Sequence, residues 1–113
     1  MNDMEGSPPA LATPNTLVDL LEYQPGSVVS RTLVKKSTGT LTLFAFDAGE
    51  GLSEHSTPHD AVVHVLDGTV EITIGGVPHT VVAGEGLLLP ADIPHALNAV
   101  TPFKMLLTMI RED

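Results

Sequence analysis

The chain has 113 residues, 14 of them acidic and 5 basic, for a formal charge of −9, and 42% of it is hydrophobic. That length fits one domain with one modest core, since a folded chain of this size buries about 65% of its unfolded surface. The absence of cysteine, of an apolar run long enough to span a bilayer and of any basic cluster larger than Arg31, Lys35 and Lys36 excludes disulfides, thiolate chemistry, a membrane span and a nucleic-acid footprint.

The start, Met1 to Glu5, is acidic and lacks the positive flank and apolar stretch of a secretory signal, so a cytoplasmic protein is expected. Residues 1–15 hold Pro8, Pro9 and Pro14 among small and polar neighbours. They predict a disordered or loosely attached arm ahead of a single domain over 16–113. Leu17, Val18, Leu20 and Leu21 would line a short helix capped by Asn15 or Thr16, or equally an edge strand, ended by Pro25-Gly26. From residue 27 the pattern turns to short β-rich runs. Strands are predicted over Val28 to Val34, Leu41 to Phe46, Ala61 to Leu66 and Thr69 to Ile74. The two-glycine turn Gly75-Gly76 then leads into Val77 to Val82, a hairpin. Leu87 to Leu89, His95 to Val100 and Phe103 to Ile110 close the series. Strands this short and turns this regular indicate an all-β sandwich or barrel.

All 5 histidines lie between positions 55 and 95. The stretch Glu54 to His64 holds His55, His59 and His64, and His95 follows in Ile93-Pro94-His95. Neutral imidazole is the commonest side-chain metal ligand, and it suits zinc, iron, copper and nickel. Strand alternation puts His55 and His59 on one face and His64 on the other, unless Pro58 marks a bulge or loop that resets the parity. His59 and His64 therefore both remain candidates beside His55 and His95. His79 stands beside the hairpin turn and reads as a surface residue. Glu54 and Asp60, the nearest acids, read as solvated loop carboxylates.

These residues resemble the cupins. Gly49, His55 and Gly68 fall where the first cupin motif has a glycine, the first histidine of a His-x-His pair and a closing glycine. Gly84, Pro90 and His95 match the glycine, proline and histidine of the second motif. The resemblance covers about 49–99 and implies a small single-domain bacterial-type cupin of the RmlC-like superfamily. Its fold would be a double-stranded β-helix, or jelly-roll β-barrel, with a metal or ligand pocket inside. The sequence also departs from the pattern. Thr57 replaces the second histidine of the pair, Ala61 the acidic ligand, and Asp92 the glycine that follows the proline. Only His55 and His95 carry over as metal ligands. His59 and His64 could replace the missing two, giving an all-His site for a divalent transition metal ion, whether iron, manganese, nickel, copper or zinc. Val63, Val65, Leu87 and Leu89 would line a greasy cavity around it.

The resemblance implies a metal-dependent enzyme, oxygenase-like or isomerase-like, acting on a small organic anion. The alternative is a non-catalytic module that binds or senses a small molecule or metal. The run Phe103 to Ile110 has more apolar residues than one inward face needs, so a homodimer is expected. Neither nucleic acid nor membrane is an expected partner.

Overall fold

Short runs of β-branched and aliphatic residues, cut by glycine and proline, build the strands. The computed structural model describes residues 12–111, so most of the arm expected over 1–15 lies outside the described residues. The strands are β1 (Val28–Lys36), β2 (Gly39–Phe46), β3 (Gly51–His55), β4 (Asp60–Asp67), β5 (Thr69–Ile74), β6 (Val77–Val82), β7 (Gly86–Leu89), β8 (His95–Ala99) and β9 (Phe103–Ile110). They form two antiparallel sheets, one ordered β1-β2-β9-β4-β7 and the other β3-β8-β5-β6. This is the all-β jelly-roll sandwich that the sequence predicts. The jelly-roll barrel is not closed: among the described residues no strand pairing joins the sheets, and β1, β7, β3 and β6 remain edges. Their chemistry explains it. Pro78 in β6 has no N–H to offer a further partner, β7 is only 4 residues long, and β3 is mostly polar.

Inward side chains of both sheets form one core. Val63 and Val65 of β4, Val70 and Ile72 of β5, Leu97 and Ala99 of β8 and Met105 of β9 are all buried in it. Phe46 and Phe103, partners across β2 and β9, stack with ring centroids 4.6 Å apart. Such a pair adds about 0.5–1.5 kcal/mol beyond its burial. Val63, Val65 and Leu89 are buried as expected, and Leu87 packs against them half-buried. They belong to the core that the two sheets share.

The segment before β1 has a structural task. Leu17–Leu20 is a short 3-10 turn, neither an α-helix nor a strand, and Thr16 ahead of it makes no side-chain capping bond. The chain here crosses the outer face of the five-stranded sheet. Lys104 Nζ donates to the Val18 carbonyl and Arg31 to the Leu20 carbonyl. Tyr23 donates to Asp67 at 2.6 Å, and Lys104 Nζ sits 4.8 Å from the Tyr23 ring centroid. Arg31 and Lys104 are the register partners of Leu43 and Ala45. Those two are buried on the outer face although they stand outside the main core. This strap is tied to the sheet at their register partners. No helix among the described residues is long and apolar enough to cross a membrane.

Candidate functional site: a histidine pair at one end of the sandwich

His95 opens β8 on the inward side, in step with the buried Leu97 and Ala99. It is 6% exposed and lies opposite Ile74 of β5, which packs on the core. On its other side it pairs with His55, the last residue of β3. Direct partners across an antiparallel ladder share one face of the sheet. The two rings accordingly meet edge to face, centroids 4.4 Å apart and planes at 69°. His95 is held in the interior while His55 stands exposed at the rim.

Each ring is fixed by its own backbone. His55 Nδ1 lies 2.7 Å from the Ser53 carbonyl oxygen, and His95 Nδ1 lies 3.2 Å from that of Ile93. A carbonyl only accepts, so in the neutral form of each ring the proton sits on Nδ1 and Nε2 carries the lone pair. Metal-binding histidines typically have this arrangement, with the second nitrogen held by a carbonyl. Burial pushes the His95 pKa below the usual histidine value. The Ile93 carbonyl opposes that shift, and the nearby His55 adds to it. His95 is thus kept neutral, the form that coordinates metal.

The other candidates lie elsewhere. β4 begins only at Asp60, so His59 belongs to the loop after β3 and has no strand parity. It lines a cleft of about 420 Å3 with Pro58, Asp60, Ala91 and Ile110. His64 is exposed between the buried Val63 and Val65, and pairs with Leu106 on the outer face of the five-stranded sheet. The core separates it from the pair. His79 is exposed on the edge strand β6, as expected, although it pairs with the buried Ile72. Among the described residues no group of three or more His, Asp or Glu stands where it could hold a metal ion.

Two positions that carry ligands in the cupin motif are occupied by other work. The Thr57 hydroxyl donates to the His59 carbonyl at 3.0 Å and accepts the His59 N–H at 3.3 Å, closing the loop on itself. Ala61 is a buried core methyl. Asp92, standing where the motif has a glycine, takes a left-handed φ of 64°, the one positive φ at a non-glycine among the described residues. Asp60, read from sequence as a solvated acid, accepts the Ala91 N–H at 2.8 Å. No local signal exposes that bond, because its partner lies 31 residues away.

Comparison with known proteins gives the family and the fold. The cupin domain family matches residues 42–110, a span that includes both histidines of the pair. The crystal structure of the conserved SPY1581 protein of unknown function from Streptococcus pyogenes superposes with a TM-score of 0.86 at 37% identity, covering 90% of each chain. Protein SchB of Streptomyces halstedii is 31% identical over 70 residues, covering 61% of this chain and 51% of SchB. Polyketide synthase CurC of Streptomyces cyaneus is 27% identical over 93 residues, covering 74% of this chain and 60% of CurC. The chain therefore spans only about half to three-fifths of the curated relatives it matches. Fold, motif positions and family match together show that this chain belongs to the cupin family.

Proposed function

We propose that the chain is a metal-dependent cupin acting on a small organic anion, with His55 and His95 holding a divalent transition metal ion through Nε2. One observation carries the reading. Both Nδ1 atoms are tied to backbone carbonyls, which leaves two unused Nε2 atoms on adjacent, fixed rings. Imidazole donors suit iron, nickel, copper or zinc, whereas manganese, a harder ion, would rely more on oxygen atoms of the ligand. A bound ion would supply Lewis acidity toward an oxygen anion. The chain's own contribution is to hold two imidazole donors in place and to keep water from one flank through Ile74 and Leu97.

Two protein donors leave most of the coordination sphere to the ligand. That favours a chelating oxygen anion such as an enolate or carboxylate, for oxygenase-like or isomerase-like chemistry. The similarity to a protein named a polyketide synthase makes 1,3-dicarbonyl compounds the first ligands to test. The second reading, a non-catalytic module that binds or senses a small molecule or metal, draws on the lack of a third acidic or imidazole group beside the pair among the described residues. Titration of copper-loaded protein with acetoacetate, followed by visible absorption, tests the shared claim. A saturable spectral change is expected. No change at millimolar ligand would contradict it. Oxygen uptake by the iron-loaded protein then separates enzyme from carrier.

The functional unit on this reading is the single domain over 16–113, at work in the cytoplasm, with neither nucleic acid nor membrane as partner. It is also a homodimer. Val62, Leu88 and Ile110 are exposed on the outer face of β4, β7 and β9, with Val62 and Leu88 direct neighbours. The strap covers the other half of that face, so part of the two-sided apolar character of β9 is satisfied within the chain. Light scattering should give twice the chain mass at micromolar concentration. A monomer mass would refute the dimer.

A further inference from the structure

We propose that Asp60 is a positioning residue for the histidine pair, acting on His95 through the loop that precedes it; this rests on reading His55 and His95 as the binding pair. The loop Pro90–Pro94 joins β7 to β8 and delivers His95 to the end of the sandwich. It contains Asp92 in a left-handed conformation that a non-glycine residue adopts only when its surroundings hold it there. Three hydrogen bonds do so. Ala91 N–H donates to Asp60 Oδ1 at 2.8 Å, Asp92 N–H to the Thr57 carbonyl at 2.7 Å, and Gly75 N–H to the Pro94 carbonyl at 2.8 Å.

Two of these anchors bind the loop before one histidine to the segment after the other. Thr57 and Asp60 follow His55 in the chain, whereas Ala91 and Asp92 precede His95. The clasp therefore fixes the same relative placement that brings the rings to 4.4 Å. The path to the imidazole is short. Ala91 is held by Asp60, Ile93 N–H closes a turn onto the Pro90 carbonyl at 3.3 Å, and the Ile93 carbonyl accepts a hydrogen bond from His95 Nδ1–H. Asp60 supplies the only side chain among the three anchors. It is thus the one anchor that a substitution can remove without changing the backbone, and the carboxylate is exposed, so the removal costs no core packing.

The test uses the full chain, zinc alone as the probe and nitrogen-15 NMR of the imidazoles. In Asp60→Ala and Asp60→Ser, the edge-to-face packing of the His55 and His95 rings should weaken or vanish in the metal-free protein. Zinc should bind about tenfold more weakly, the low end of what loss of a supporting partner does at a metal site. Asp60→Asn retains Oδ1 as an acceptor and should behave as wild type. Asp47 accepts the Gly26 and Ala48 N–H groups at the opposite end of β3, so Asp47→Ala should lower thermal stability and leave the ring packing intact. Unchanged ring packing and zinc affinity in both Asp60→Ala and Asp60→Ser would overturn the proposal. A wild type that binds no zinc, together with separated rings in Asp60→Ala, would refute the metal reading and still support the positioning role.

Discussion

His55 and His95 are direct partners across β3 and β8, one exposed at the rim and the other buried beside Ile74, with ring centroids 4.4 Å apart. The pairing joins residues 40 positions apart in the chain. It gives the two imidazoles different environments and leaves the same nitrogen free on each.

The buried member makes the metal-free protein sensitive to acid. Burial holds the folded-state pKa of His95 below the ordinary value of 6.5. As pH falls below that value the unfolded chain takes up a proton that the folded protein resists, so stability declines. The decline ends once pH is below the folded-state pKa, where both states are protonated. Urea midpoints of the metal-free protein at pH 7.5, 6 and 5 should therefore fall more steeply for wild type than for His95→Gln. Parallel trends would show that His95 is not held neutral by the fold.

Tyr23 reports on the strap. It is the only tyrosine, and the chain has no tryptophan. Burial, with the hydrogen bond and charge of Asp67, raises its phenol pKa above the ordinary value near 10. Ultraviolet titration should find Tyr23 less ionised at pH 10 than a free tyrosine, which is half ionised there. Tyr23→Phe should cost about 0.5–1.5 kcal/mol in urea unfolding. An ordinary titration midpoint would mean that the strap does not hold in solution.

Gly68 tests the packing where β4 turns into β5. Its φ is +78°, and a Cβ built there would overlap the Pro102 carbonyl oxygen and lie 2.8 Å from the Phe103 Cα. The obstruction is backbone, which a side-chain rotation cannot relieve. Gly68→Ala should destabilise the fold by about 3 kcal/mol or more, with both strain and displacement of β9 contributing. Gly76→Ala shares the positive φ but meets nothing within 4 Å, and should cost clearly less. Equal losses in urea unfolding would remove the steric argument.

Much of this is legible in the sequence. The alternation of Val70, Ile72 and Ile74 and the Gly75-Gly76 turn mark β5 and its hairpin with β6 at the observed bounds, because a two-residue turn sets the register locally. Alternation also puts His64 opposite to Val63 and Val65, as the structure does. β3 carries no such signature. Its residues are mostly polar, only Leu52 is half-buried, and its pairing with β8 is interrupted between Leu52 and His55. The partnership of His55 with His95 is legible only through the family motif, since no local pattern encodes a register between strands so far apart. The tasks of Thr57 and Asp60 are hidden for the same reason: each depends on where a distant or folded-back loop comes to rest.

The most direct test is metal content. Protein purified without an affinity tag, stripped by chelator and reloaded with zinc should carry about one ion per chain by mass spectrometry of the elements. His59→Ala, His64→Ala and His79→Ala should retain that content, because none of the three stands with the pair. His55→Ala and His95→Ala should each lose most of it. Full occupancy in His95→Ala, or loss in His64→Ala with His95→Ala unaffected, would contradict the assignment of the site to the β3–β8 pair.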